Sequence, residues 1–100
     1  MSDRFPNLLV GEKRVLAFRF TDELDAGETL QGTPTVSVSV LSGTDATPAA
    51  IVSGAPGVSS PDVLVTVAPA VAAVEYRIEV LIATSNTNKV LACVGQLYVA

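Results

Sequence analysis

One hundred residues, 49% of them apolar and only five aromatic, fit a single domain whose core is built from Val, Ala and other small side chains rather than rings. Six Lys and Arg against ten Asp and Glu leave a net charge of -4. The basic residues Arg4, Lys13, Arg14, Arg19, Arg77 and Lys89 are scattered apart from one adjacent pair, so the basic footprint that nucleic-acid binding requires is absent. With no histidine and one cysteine, Cys93, the composition excludes His-based triads, Cys-His nucleophiles, the usual zinc sites and any disulfide within the chain.

The chain opens with Phe5, Leu8, Leu9 and Val10 among Pro6, Asn7 and Gly11, an apolar set without a period. Residues 1–12 therefore read as an N-terminal arm that packs on its own domain or on a neighbour, and these four side chains are its candidate partner contacts. Asp3, Pro6 and the charges from Glu12 to Arg14 break up any signal-type apolar run. The expectation is a soluble protein that starts at its own Met in a reducing compartment.

From Lys13, "KRVLAFRFTDEL" places Leu16, Phe18 and Phe20 on one face and Arg19 on the other, the period-2 signature of a half-buried strand. The acidic turn "TDELDAGE" ends it. Its carboxylates Asp22, Glu23, Asp25 and Glu28 form the one cluster with possible chemistry: a solvated turn, a calcium loop, or a glycosidase-like pair. Their spacing does not match the helix-loop-helix calcium pattern, and the solvated turn is favoured. A strand beginning near Glu28 is expected to bend at Gly32-Thr33-Pro34 and resume as "TVSVSVL", with Val36, Val38 and Val40 on the core face and Ser37 and Ser39 on the other.

"SGTDATPAAIVSGAPGVSSPD" reads as loop with one brief strand at "AAIV", and Asp45 as the closer of a local hydrogen bond. "VLVTVAP" puts Val63, Val65 and Val67 on one face and stops at Pro69. The longest near-apolar run, Val63 to Val74, is twelve residues with that proline inside it, against about twenty for a membrane span. "AVAAVEYRIEVLIATS" admits a helical turn at Ala70 to Val74 but favours a strand from Glu75, because Tyr76, Ile78, Val80 and Ile82 alternate with Arg77, Glu79 and Leu81 and the β-branched content is high. Tyr76, at the start of that strand, is placed either to hydrogen-bond an upstream loop as a tyrosine corner does or to be an ordinary half-buried aromatic. After the polar turn "TSNTNK", "VLACVGQLYVA" is the last strand, with Leu91, Cys93, Leu97 and Val99 in phase and Gly95 as a candidate bulge. Cys93 is expected to be a small buried hydrophobe. The core set is thus Phe18, Val36, Val38, Val40, Val65, Tyr76, Ile78, Val80 and Leu91. Neither GxxxxGKS/T nor GxGxxG occurs, so no phosphate loop and no cofactor is expected. Short strands with turn signals every ten to fifteen residues point to a β-sandwich or a small barrel.

The order of these pieces resembles small immunoglobulin-like virion proteins of tailed bacteriophages, those of fibre-tail adaptor or cement type. The resemblance rests on "FTDELDAGETLQGTPTVSVSVLSGTD", on a Gly/Pro-rich middle ending in "DVLVTV", and on "VEYRIEVLIATSNTNKVLACVGQLYV", and covers Arg14 to Val99. It departs at "APAVAAVEY", where similar proteins tend to carry a glycine-containing loop before the tyrosine. The resemblance implies an all-β, immunoglobulin-like antiparallel β-sandwich of about seven strands with Greek-key connections over residues 13–100. It also implies a non-enzymatic virion subunit, assembled in the host cytoplasm in many symmetric copies. Such a subunit joins or stabilises tail, head-tail or fibre components through other virion proteins, and has no catalytic residue, nucleic-acid partner or membrane partner. Capsid decoration on the phage head is the alternative role. A host-surface or carbohydrate-binding module is the alternative class, and the lack of tryptophan argues against sugar stacking.

Overall fold

Alternation sends one side chain inward and the next outward, and in the computed structural model, which describes residues 2–100, the strands so patterned stack as two sheets. The strands are β1 (Ser2–Arg4), β2 (Arg14–Arg19), β3 (Leu30–Ser42), β4 (Gly57–Ser59), β5 (Asp62–Val67), β6 (Val74–Thr84) and β7 (Val90–Val99), with short 3-10 turns at Thr21–Glu23 and Pro48–Ile51. One sheet runs β1-β7-β6-β3 and the other β2-β5-β4. The fold is an all-β sandwich.

Six strands make its two antiparallel three-stranded layers, β7-β6-β3 and β2-β5-β4, rather than about seven. The arm is the reason. It supplies no neighbour for β2; β1 instead lies parallel to β7, pairing Ser2 with Val94 and Arg4 with Gln96. The pairing continues beyond β1, since the Phe5 N–H donates to the Gln96 carbonyl at 2.9 Å, that of Leu8 to Tyr98 at 3.0 Å, and that of Ala100 back to Leu8 at 2.8 Å.

Between the layers, Leu16, Phe18 and Phe20 of β2 and its exit meet Val63, Val65 and Val67 of β5 on one side. Facing them are Val74, Tyr76, Ile78, Val80 and Ile82 of β6 with Cys93, Leu97 and Val99 of β7, all buried. Phe18, Val65, Tyr76, Ile78 and Val80 therefore occupy the core as expected. Val36, Val38, Val40 and Leu91 are corrected: they pack against it but stay partly exposed. For the three valines the cause is position, because β3 is the outer strand of its sheet and has a neighbour on one side only.

One local expectation holds and two change. The bend at Gly32-Thr33-Pro34 is present, as a break in register between Gln31 and Thr35. "AAIV", however, is not a strand: Pro48 opens a 3-10 turn there, and only Val52 makes an isolated bridge, to Val67. The short strand of that region is β4, whose Gly-Val-Ser hides among turn residues. Gly95 makes no bulge, since β6 and β7 stay in register from Val74–Val99 to Ala83–Val90 with Gly95 opposite Ile78. Its role is spatial, because a Cβ there would collide with the ring of Phe5 and come within 2.9 Å of the ring of Phe18.

Those two rings meet edge to face, centroids 5.1 Å apart at 70°, a geometry worth about 0.5–1.5 kcal/mol beyond the area it buries. Phe5 comes from the arm, Phe18 from the second sheet and Gly95 from the first. Substituting Gly95→Ala forces one ring to move, and overpacking of this kind costs about 1–3 kcal/mol. Urea denaturation is expected to show that loss with an unchanged slope, whereas a bulge glycine in open space would show little steric cost.

Candidate functional site

Three places concentrate the polar chemistry of the chain. The first is a corner where the segment after β3 meets the one before β6. Gly43 takes φ +87° there, and a Cβ on it would lie 2.5 Å from the Ala73 carbonyl oxygen. Ala73 itself has φ 59°, the left-handed region that L side chains resist. Alanine here bears a conformation that glycine would take freely.

The corner holds Tyr76 to Asp45. The tyrosine ring is fully buried, and its hydroxyl donates to Asp45 Oδ2 at 2.6 Å across 31 positions of sequence. The other oxygen, Oδ1, accepts the Thr47 N–H at 2.9 Å, closing an Asx turn. Both expectations meet in one contact: Asp45 closes a local bond, and Tyr76 reaches the upstream loop, through a carboxylate. The hydrogen bonds from Tyr76 and Thr47 hold the Asp45 carboxyl below its ordinary value. Burial and the adjacent carboxylate push the Tyr76 hydroxyl well above its own. A shallow recess of about 60 Å³ beside the corner is lined by Asp45, Thr47, Ile51 and the alanines Ala50, Ala68 and Ala70. Since Asp45 is already engaged by Tyr76 and Thr47, this is a tie between strands rather than a ligand site.

The second place is the acidic turn. Glu28 Oε1 accepts Lys89 Nζ at 2.7 Å and the Asp25 N–H at 2.9 Å, while Oε2 accepts the Thr84 hydroxyl at 2.9 Å. Lys89 Nζ also donates to the Glu23 carbonyl at 2.7 Å and lies 3.7 Å from Asp25. The ammonium thus sits where a cation bound by the turn would sit, and its hydrogen bond, ahead of that from Asp25, lowers the Glu28 carboxyl's pKa. The same bond raises that of Lys89. Among the described residues no group of three His, Cys, Asp or Glu side chains converges to hold a metal. Asp22 and Glu23 point into solvent. Lys89 and Thr84, 56 or more positions away, were invisible to a reading of the turn alone.

The third place is the arm. Of its four candidate contacts, Leu8 is buried in its own domain and Phe5 is half-buried against Phe18, while Leu9 and Val10 remain exposed, at 60% and 48%. Arg4 reaches Glu75 at 3.1 Å and Gln96 at 3.2 Å, an exposed link that adds little stability. Beside the open edge of β2 the arm leaves a groove of about 200 Å³ between Phe5, Pro6 and Leu8 and the side chains of Arg14, Val15 and Ala17.

The corner makes two predictions. Ala73→Gly relieves the left-handed strain and is expected to stabilise the fold by about 1 kcal/mol in denaturant titration; a loss would show that the alanine is favoured there. Tyr76→Phe is expected to cost about 1 kcal/mol at pH 7 and to alter the alkaline limb of the stability profile. Because folding raises the Tyr76 pKa, the unfolded chain ionises first, so stability is full below about pH 10 and falls as pH rises above it. The substituted protein should lose that part of the fall. Glu28 and Asp45 act at the other end: their pKa values are lowered by folding, so their contribution is present above the ordinary values of 4.5 and 3.8 and disappears as pH drops below them. Thermal melts between pH 2 and 7 are expected to show a flatter acid limb for Glu28→Gln.

The chain matches no protein-family model, no curated protein and no solved structure.

Proposed function

We propose that this chain is a non-enzymatic structural subunit of a tailed-bacteriophage virion, with an immunoglobulin-like sandwich. It acts as an adaptor that joins or stabilises tail, head-tail or fibre components by protein–protein contact. The observation that carries the fold part is the strand order. β2-β5-β4 facing β7-β6-β3, with the arm strand laid along β7, corresponds to B-E-D facing G-F-C in the immunoglobulin arrangement. Tyr76, near the start of the strand that corresponds to F, bonds upstream, as that arrangement favours.

The functional part draws on where the chemistry is used. Asp45, Tyr76, Glu28 and Lys89, the groups with displaced pKa values, all pair with one another inside the fold. That leaves surfaces rather than a reacting centre. All five aromatic side chains are buried or half-buried, which gives a sugar-binding platform no exposed ring to stack on. Leu9, Val10 and the arm groove, together with the free sheet edges, are the contact surfaces available to other virion proteins.

Mass spectrometry of purified particles of the phage that carries the gene, followed by particle reconstruction, is the test. The chain should be present in many symmetric copies, on tail, connector or fibre base. Its absence from the mature particle would overturn the assignment, and density on the capsid lattice would move it to decoration of the head.

A further inference from the structure

The outer edge of β3 is the best-formed unoccupied surface of the molecule. β3 is the longest strand, thirteen residues, and ends its sheet, with β6 on one side and no strand of the described residues on the other. Exposed edges of this kind invite another chain to pair, and proteins ordinarily blunt them with charge, proline or bulges. Here the register breaks and Pro34 fall at the two ends of the strand, between Gln31 and Thr35 and between Val40 and Ser42. The run from Thr35 to Leu41 has neither proline nor charge.

The absence of charge extends well past the strand. From Thr29 to Pro61 the only ionisable side chain is Asp45, which is engaged by Tyr76 and Thr47. This stretch supplies β3, the 3-10 turn Pro48–Ile51 and β4, and the latter two lie against β3, so all three belong to one side of the sandwich. All the Lys and Arg, and every other Asp and Glu, come from the rest of the chain. The same side exposes apolar surface: Leu41 at 48% and Val58 at 37%, besides the half-buried Val36, Val38 and Val40.

We infer that this edge pairs with the same edge of a second copy, β3 against β3 antiparallel about a two-fold axis through Val38. The strict alternation makes the strand complementary to itself in that register. Val38 faces Val38 of the partner, Val36 faces Val40, Ser37 faces Ser39 and Thr35 faces Leu41. Valines therefore continue the core-facing side across the junction, and serines continue the outer side. No like charges meet. The opposite edge of the sandwich does not offer this: β2 is bounded by Arg14 and Arg19, which antiparallel self-pairing would bring opposite each other. The inference rests on β3 and not on the virion assignment. A monomer would overturn it and leave that assignment to be decided by particle composition.

Sedimentation velocity on the full chain, from 1 μM to 1 mM, is the test, with two double substitutions on the exposed outer face. The native protein is expected to double its 10.3 kDa mass within that range. Ser37→Lys with Ser39→Lys puts like charges opposite each other across the axis, and Ser37→Glu with Ser39→Glu does the same with the other sign. Each alone should be monomeric, with a melting temperature and β-type circular dichroism close to native, and an equimolar mixture should recover a 1:1 dimer. A native protein that stays monomeric at 1 mM, a lysine variant that still dimerises, or a mixture that fails to recover would each overturn the pairing.

Discussion

Two phenylalanine rings and a glycine hold together the parts of this molecule that are farthest apart in sequence. In a chain whose interior is otherwise mostly valine and short aliphatics, Phe18 can extend from the second sheet to β7 only because Gly95 leaves room for it. Phe5 then closes over the same spot from the arm. The parallel pairing of residues 2–8 with β7 follows from that anchor, and with it the burial of Leu8. The arm is consequently the closing piece of the sandwich, and the two ends of the chain are paired with each other. A contact order this non-local implies slow folding for the chain's size.

The strands with clean alternation were legible from sequence, and for one reason: a period-2 pattern reports directly on which face is buried. β2, β5, β6 and β7 each follow it, and Tyr76 reaches the upstream segment as its position at the head of β6 suggested. What could not be read is what depends on a partner distant in sequence. The choice of the arm between its own domain and a neighbour depends on Gly95, some ninety positions away. The acidic turn looked able to accept a cation, and its cation is a lysine supplied by the loop between β6 and β7. β4 is three residues of ordinary turn composition, made a strand only by β5. The half-exposure of Val36, Val38 and Val40 depends on sheet order, which alternation does not encode.

The polar side chains divide the surface unevenly, and the division bears on what the domain is for. Lys89 and Glu28 tie the β6–β7 turn to the acidic turn, while Tyr76 and Asp45 tie the start of β6 to the segment after β3. These contacts fix the connections where the chain crosses between sheets. The rest of the charge is spread over the arm, β2, the acidic turn, Asp62 of β5 and the outer face of β6, while the stretch that supplies β3 and β4 carries only Asp45. Desolvating an unpaired charge at an interface is costly, and Ser, Thr and Val avoid that cost. The structural role proposed for the chain would use surfaces of this kind rather than a pocket.

Closure of the sandwich depends most on the arm being part of the folded domain. Native-state hydrogen exchange followed by NMR reads this directly, since the Phe5, Leu8 and Ala100 amides each donate to a backbone carbonyl in the arm–β7 pairing. If the arm closes the sandwich, these three amides exchange with protection approaching that of β6 and β7, through opening of the whole domain. Exchange at the rate of an unstructured loop, with β6 and β7 still protected, would contradict the account and make the arm a separable segment.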